Sequence, residues 1–403
     1  MMSESCNIVD HLPQAMLLEI FCRLPIHDVT RCKVVCRAWL NLLSDPNFTN
    51  IYTINTPFTT LLLEEMMSWS VMNTRSMKYS LLEVSAAGEY TQTPLAPIEI
   101  PTNHLDYDHT SLVLVGSCNG FLCFSYHKYH FCSRGGTSVV KEGLYINNPI
   151  TREIIELPQY DEMLNIRDNF VTAESHHFGF SPSTGEFKVV RIVYSVASIQ
   201  PLIVDGKPEI QICTVGVDKK WRNLASLPLI MSNWSNVVTL NGAHHWIVAD
   251  KIHTFDIGKE QDGPILHLPV VGCSSESSLS SVELLELNNQ LALVDNSVLS
   301  QITIWTMKEY GVVESWTKHV IFQDSFPTVL YCQKVSPVAM FRNGTILFSN
   351  SCHDGHFILY NPKRKECADI QISDVGWLST AIRFNSYSRH MLIVHPLDEL
   401  IMM

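Results

Sequence analysis

The chain has 403 residues, of which 46% are hydrophobic and 17% charged, and it carries a net charge of −12. That balance belongs to a folded chain, long enough for a small module plus a large domain or for three ordinary domains. It argues against phosphate-backbone binding as the main task, and the lack of an apolar run of about 18 residues argues against a spanning helix.

Residues 1–11 are polar and acidic and do not read as a signal peptide. The 12 cysteines are scattered, form no Cys-x-x-Cys pair and in several cases sit inside apolar runs (Cys22, Cys123, Cys213). This pattern fits a reducing compartment, so cytoplasm and/or nucleus is expected. In such a compartment the glycosylation patterns at Asn47, Asn233 and Asn343 carry no meaning.

Residues 12–48 predict three short helices. Pro13 suits a first helical turn, and Met16, Leu17, Ile20, Phe21 and Leu24 recur at helical spacing. Pro25 ends this helix, because the residue before a proline is pushed out of the α region. A second helix is expected over Ile26–Val34. A third carries Val35, Trp39, Leu42 and Leu43, and Asp45-Pro46 stops it. So short a segment carries more apolar side chains than it can hide within itself. The excess must bury against the rest of the chain or against a partner.

From Ile51 onward the helical stripes fade, apart from an ambiguous stretch at Leu61–Met72. Short β-rich runs bounded by Gly, Asn, Pro or Asp take over, which indicates a sandwich, barrel or propeller. Five units repeat loosely, beginning near Val115, Phe178, Val237, Leu284 and Ala339. Each reads as strand, tight turn (often Asn-Gly), apolar strand, loop, strand and turn, and several end near Leu-Pro. Asn-Gly supplies the positive φ angles of a two-residue hairpin turn. Four strands in roughly 40–50 residues is the length of a propeller blade, which hides its faces only on its neighbours. Lys78–Pro101 reads as an early or partial blade, and Trp377–His395 begins a blade that it cannot finish. Joining the two would close a ring of about six blades, with seven the alternative count.

The two Leu-Pro steps (Leu12-Pro13, Leu24-Pro25), the Val35-Cys36-Arg37-Ala38-Trp39 run and the Asp45-Pro46-Asn47-Phe48 end resemble an F-box. That family's short helical module docks on a cullin-type ubiquitin ligase through a Skp-family adaptor. The resemblance implies adaptor contact at Leu12, Pro13, Leu17, Ile20, Leu24, Pro25, Val35, Cys36 and Trp39. Gln14 and His27-Asp28 depart from the family's usual residues without removing an apolar anchor. Gly116-Ser-Cys-Asn-Gly-Phe-Leu-Cys123, Tyr145-Ile-Asn-Asn-Pro149, Phe178-Gly-Phe-Ser-Pro182 and Tyr360-Asn-Pro362 resemble the plant F-box-associated domain, itself similar to kelch-type propellers. The implied layout is an all-α F-box at 8–50, a partly helical linker at 51–77 and an all-β propeller-like substrate-binding domain at 78–396. The His127–Gly143 insert departs from the family's usual pattern.

Other groupings favour structural readings. Gly116-Ser-Cys118-Asn-Gly120 has the form of a nucleophile elbow, but a strand follows it where a helix is required. His176-His177 and His244-His245 each place one ring on either face of a strand, without a Cys or carboxylate at ligand spacing. Lys363-Arg364-Lys365 reads as a solvated turn. Trp221, Trp234, Trp246, Trp305 and Trp316 suit blade packing or a ligand rim. No cofactor and no metal are expected.

The implied function is the substrate-recognition subunit of a Skp–cullin–F-box (SCF) ubiquitin ligase. It binds the adaptor, through it a cullin, and an unknown target protein, and performs no bond chemistry itself. The alternatives are an adaptor-binding scaffold without target degradation and a propeller-type enzyme. Removal of residues 12–48 is expected to abolish adaptor binding and leave the β domain folded.

Overall fold

The computed structural model describes residues 12–66, 77–95, 109–131, 137–149, 152–159, 171–199, 202–224, 237–248, 250–269, 282–298, 300–322, 335–350, 356–372 and 382–386. Residues 96–101, Trp234, Trp377 and residues 387–395, which belong to the expectations above, lie outside these residues.

The N-terminal helices are α1 (Gln14–Cys22), α2 (Ile26–Cys32), α3 (Arg37–Leu43) and α4 (Pro46–Asn55). Pro13 lies one residue before α1, and its carbonyl accepts from the N–H groups of Met16 and Leu17. The Cys36 Sγ caps α3 by accepting the Trp39 N–H at 3.5 Å. The expected count of three helices becomes four. Asp45-Pro46 does end α3, but it also starts α4. The Asp45 carboxylate accepts the Asn47 N–H at 2.8 Å, and Pro46 sits where no backbone donor is needed.

Six sheets follow among the described residues. Blade 1 holds β1 (Phe58–Met66), β2 (Met77–Ser85) and β3 (Tyr90–Pro94). Blade 2 holds β4 (His109–Cys118), β5 (Phe121–Phe131), β6 (Thr137–Asn147) and β7 (Ile154–Glu156). Blade 3 holds β8 (Val171–Ser181), β9 (Glu186–Ile199), β10 (Leu202–Thr214) and β11 (Arg222–Leu224). Blade 4 holds β12 (Val238–Leu240), β13 (Ala243–Val248), β14 (Lys251–Asp256), β15 (Gln261–Asp262) and β16 (Leu266–His267). Blade 5 holds β17 (Val282–Leu287), β18 (Gln290–Asp295), β19 (Gln301–Met307) and β20 (Trp316–Phe322). Blade 6 holds β21 (Val335–Met340), β22 (Ile346–Asn350), β23 (His356–Asn361) and β24 (Glu366–Gln371).

The ring closes through β25 (Ile382–Ser386), which pairs antiparallel with β1, Leu61 opposite Ser386 and Leu63 opposite Phe384. Blade 1 therefore runs β25-β1-β2-β3, with its first strand supplied by the far end of the chain. The C-terminal completion of the early blade is thus observed, and the count is six. The helical part of the 51–77 stretch stops at Asn55, and β1 begins at Phe58. The expected linker is therefore partly a blade strand. Leu61, Leu62 and Leu63 are all buried, so this strand lacks the alternation that would have revealed it.

The hairpin turns follow residue chemistry. Asn119-Gly120, Asn241-Gly242 and Asn288-Asn289 all have positive φ and link strands by two residues. Asn343-Gly344 departs from this. There the Phe341 N–H donates to the Thr345 carbonyl around a three-residue turn, with Gly344 at φ 88°. The expected insert at 127–143 is a prolongation of the β5–β6 hairpin, with His127 paired to Glu142 and Phe131 to Thr137.

A separate apolar cluster fills each contact between neighbouring blades, from Phe178, Val189 and Ile146 between blades 2 and 3 to Leu61, Leu347 and Phe357 between blades 6 and 1. Polar contacts stitch the same seams. The Trp221 and Trp316 indoles donate to the carbonyls of Pro158 (2.7 Å) and His267 (3.2 Å). Each thus reaches from an outer strand to the Leu-Pro end of the preceding blade. Trp246 is buried in the blade 3–4 cluster, and Lys318 lies over the Trp305 ring. The described tryptophans thus serve blade packing. The His245 ring, fully buried, joins the Val238 carbonyl (3.1 Å) to the Tyr310 hydroxyl (2.7 Å) of blade 5. Inside blade 3 the buried Arg191 guanidinium donates to Glu174 (3.0 Å) and Gln211 (2.8 Å). Between blades 3 and 4, Glu260 accepts from Lys188 at 2.8 Å and from Arg222 at 2.7 Å. The Arg222 hydrogen bonds, helped by Lys188, hold the Glu260 carboxyl down at about 2 against the opposing effect of burial.

The helices are not separate from the ring. Phe21, Cys22, Ile26, Val29, Leu43, Phe48 and Tyr52 share one buried cluster with Leu62, Tyr79, Leu81, Phe124 and Tyr126 of blades 1 and 2. The Ile26 N–H at the start of α2 donates to the buried Glu83 carboxylate of β2 at 2.6 Å. The Tyr52 hydroxyl donates to the Leu24 carbonyl at 2.9 Å, tying α4 to the end of α1.

Two outcomes follow from these contacts. Glu83→Ala should lower stability by about 1.5–3 kcal/mol, the range for hydrogen bonds to charged groups, as measured by denaturant or thermal unfolding. Because the Glu260 pKa is lower in the folded chain, its contribution is complete above the ordinary carboxylate value of about 4.5 and is lost as pH falls toward about 2. Glu260→Gln should therefore melt earlier at pH 7 and show a shallower fall in melting temperature between pH 5 and pH 3.

Candidate functional site: the uncovered face of the helical module

The helical module has more apolar surface than the propeller covers. Its inner side is the cluster of Phe21, Ile26, Val29, Leu43 and Phe48 described above. Phe21 is its pivot, packing edge-on against Trp39 (4.8 Å between centroids) and Phe48 (6.3 Å). On the other side, large apolar side chains stand in solvent: Val34 is 88% exposed, Val35 61%, Met16 52%, Ile20 47% and Leu40 44%. Met16 and Ile20 are four apart on α1 and share one helical face. Val34 and Val35 fill the turn between α2 and α3, and Leu40 lies on α3. Solitary exposed hydrophobics are ordinary on a surface; a group of them on one small module marks an interaction surface.

The residues expected at an adaptor contact divide into three groups. Pro13, Ile20 and Val35 are exposed. Leu12, Pro25 and Cys36 are half-buried around the helix starts. Leu17, Leu24 and Trp39 are half-buried, packed on the inner cluster yet still reaching solvent. None of the nine is enclosed by the sheets. The sequence reading missed Met16, Val34 and Leu40. Met16 lay in the apolar stripe already noted, and the Val34-Val35 pair before a helix start was a further signal. Arg31 and Arg37 are exposed around the valines, with Lys33 beside them. Desolvation by burial lowers the Lys33 ammonium to about 8. The patch is thus apolar with a basic edge, on a chain whose net charge is −12.

The other sequence candidates have structural positions. Cys118 is buried at the end of β4 beside the Asn119-Gly120 hairpin turn, and burial pushes its thiol up to about 12, far from a nucleophile. Lys363, Arg364 and Lys365 lie on an exposed turn whose amides bond the Asn361 side chain. Among the described residues no group of three or more metal-ligating side chains comes together.

Comparison with known proteins identifies both parts. Residues 9–51 match the F-box domain, and residues 72–395 match the F-box associated beta propeller domain. The chain is 26% identical to F-box protein At3g07870 of Arabidopsis thaliana, over 83% of this chain and 78% of that protein. It is 24% identical to F-box/kelch-repeat protein At3g23880 of the same plant, over 86% and 89% respectively. Among solved structures, dipeptidyl peptidase 4 of Porphyromonas gingivalis is similar at 9% identity and a TM-score of 0.37, covering 73% of this chain. The chain spans about half (52%) of that protein's length, and so low a score supports no functional argument. With a helical F-box packed on a six-bladed ring, and with both segments matched, the chain belongs to the F-box proteins that carry an F-box-associated β-propeller domain.

Proposed function

We propose that this protein is the substrate-recognition subunit of an SCF ubiquitin ligase. The observation that carries the reading is the apolar, basic-edged face that the F-box leaves uncovered while its opposite face is buried on blades 1 and 2. In this reading a Skp-family adaptor covers Ile20, Val35 and their neighbours, and its own surface is apolar with an acidic border. The adaptor links the chain to a cullin. The propeller's likeness to kelch-type rings, and residence in the cytoplasm and/or nucleus, belong to the same proposal.

The mechanism is tethering, and no residue of this chain acts on a bond. α4 ends at Asn55 and β1 begins at Phe58, so the helical module reaches the ring without slack. A stiff link holds a bound target within a narrow volume beside the ubiquitin-carrying enzyme, which raises effective concentration. The strand register bears on where a target would sit. Phe58, where the chain enters the ring from the helices, pairs with Ser85 at the β2–β3 turn. At the opposite edge, β3 ends and β25 begins. That edge is the proposed target-binding side.

Deleting residues 12–48 is a poor test, because it would uncover Tyr79, Leu81 and Tyr126 of the ring. Ile20→Asp and Val35→Asp alter exposed side chains instead. Each should weaken co-purification of adaptor and cullin at least tenfold, with a melting temperature within about 1–2 °C of the parent; undiminished binding would refute the adaptor face. In cells, either substitution should lengthen the half-life of proteins captured by the ring. Unchanged half-lives together with lost adaptor binding would favour the scaffold reading.

A further inference from the structure

Within one strand, each His-His pair splits between two faces, but the ring brings one member of each pair together. His177 lies on β8 and His244 on β13, and their ring centroids are 5.9 Å apart across the seam between blades 3 and 4. Both Nε2 atoms are buried and lack a hydrogen-bond partner. The Thr239 hydroxyl lies 2.8 Å from His244 Nδ1 and 3.3 Å from the Phe178 carbonyl, a pair of contacts that accommodates a ring donating from Nδ1 while the hydroxyl donates to the carbonyl. In that tautomer Nε2 presents a bare lone pair. A ring whose far nitrogen donates to a fixed oxygen is how ligand histidines are oriented. Close packing keeps the seam tight: a Cβ on Gly179 would lie 2.9 Å from Thr239 and 3.1 Å from the His244 Cε1 atom.

We propose that His177 and His244 form a two-coordinate site for a monovalent d10 metal ion, Cu(I), held between blades 3 and 4. Two rings sharing an ion at about 2 Å from each nitrogen have centroids about 6 Å apart, as found here. The donor set selects the charge. Both ligands are neutral, and two donors are too few for tetrahedral zinc. Burial energy grows with the square of the charge, so a divalent ion without an anionic ligand meets about four times the penalty of a monovalent one. Imidazole nitrogen suits copper, and Cu(I) accepts linear coordination by two such donors. The ion would bind only the assembled ring, stabilise it by mass action and clamp two blades on the side of the disc that carries the β8–β9 and β12–β13 turns.

The test is anaerobic titration of the full-length chain with Cu(I) against a chromogenic Cu(I) chelator, beside His177→Gln, His244→Gln and the double variant. Cysteine binding is common to all four chains and cancels in the difference. The proposal expects one equivalent more in the parent than in any variant, nitrogen ligation by X-ray absorption, and a copper-dependent rise in melting temperature that the variants lack. Melting without metal establishes that each variant is folded; should a Gln variant fail this, His177→Asn and His244→Asn replace it. Equal uptake by parent and folded double variant overturns the site, leaving an ordered water as the occupant of the seam. Tighter binding of Zn(II) than of Cu(I) at the same two residues overturns the assignment of charge.

Discussion

A four-stranded antiparallel sheet with two apolar faces is unstable in water until both faces are covered. Everything in this protein answers that constraint. Six sheets, five of four strands and one of five, cover one another pairwise, and a row of five or six would leave two faces wet. The pairing of β25 with β1 removes that defect by making the first and last strands partners in one blade. The inner strands then contact one another around the ring, β4 with β8 and β25, β21 with β17 and β25. Between the blades the solution is chemically varied: Cys and Phe fill the seam of blades 2 and 3, whereas the seam of blades 3 and 4 combines the buried Trp246 with an ion network around Glu260.

The helical module meets the same requirement with an unequal outcome. It is too small to bury its own apolar residues, and the propeller covers only one side. Phe21, Ile26 and Phe48 are absorbed into the ring's core, whereas Ile20, one residue before Phe21, points outward. The consequence is an interaction face on a rigid base. The Ile26 amide held by the Glu83 carboxylate, and the Tyr52 hydroxyl held by the Leu24 carbonyl, are hydrogen bonds that a flexible tether would not need.

Much of this was legible in the residues. Asn119-Gly120 and Asn241-Gly242 marked hairpin turns because few other pairs tolerate two positive φ angles, and once those turns were placed the blades followed. What escaped was whatever depends on three dimensions. Leu61–Leu63 is buried on both faces, so its pattern does not distinguish a strand from a helix. Asp45-Pro46 carries the same two letters whether it stops one helix or starts the next, and here it does both. Which helical residues remain exposed is set by where the ring docks, so Met16, Val34 and Leu40 emerged only with the structure. The histidine doublets, weighed one strand at a time, showed nothing of His177 meeting His244 across a seam.

Blade 1 unites the two ends of the polypeptide, since β1 follows directly on the helices and is flanked by β25. A ribosome must therefore translate through residue 386 before the sheet that seats the F-box is whole. Until then the helices of the F-box lack the completed sheet on which they pack. Chains cut short by a premature stop codon would keep the adaptor motif on an incomplete seat, so this architecture couples productive assembly to having been made to the last strand.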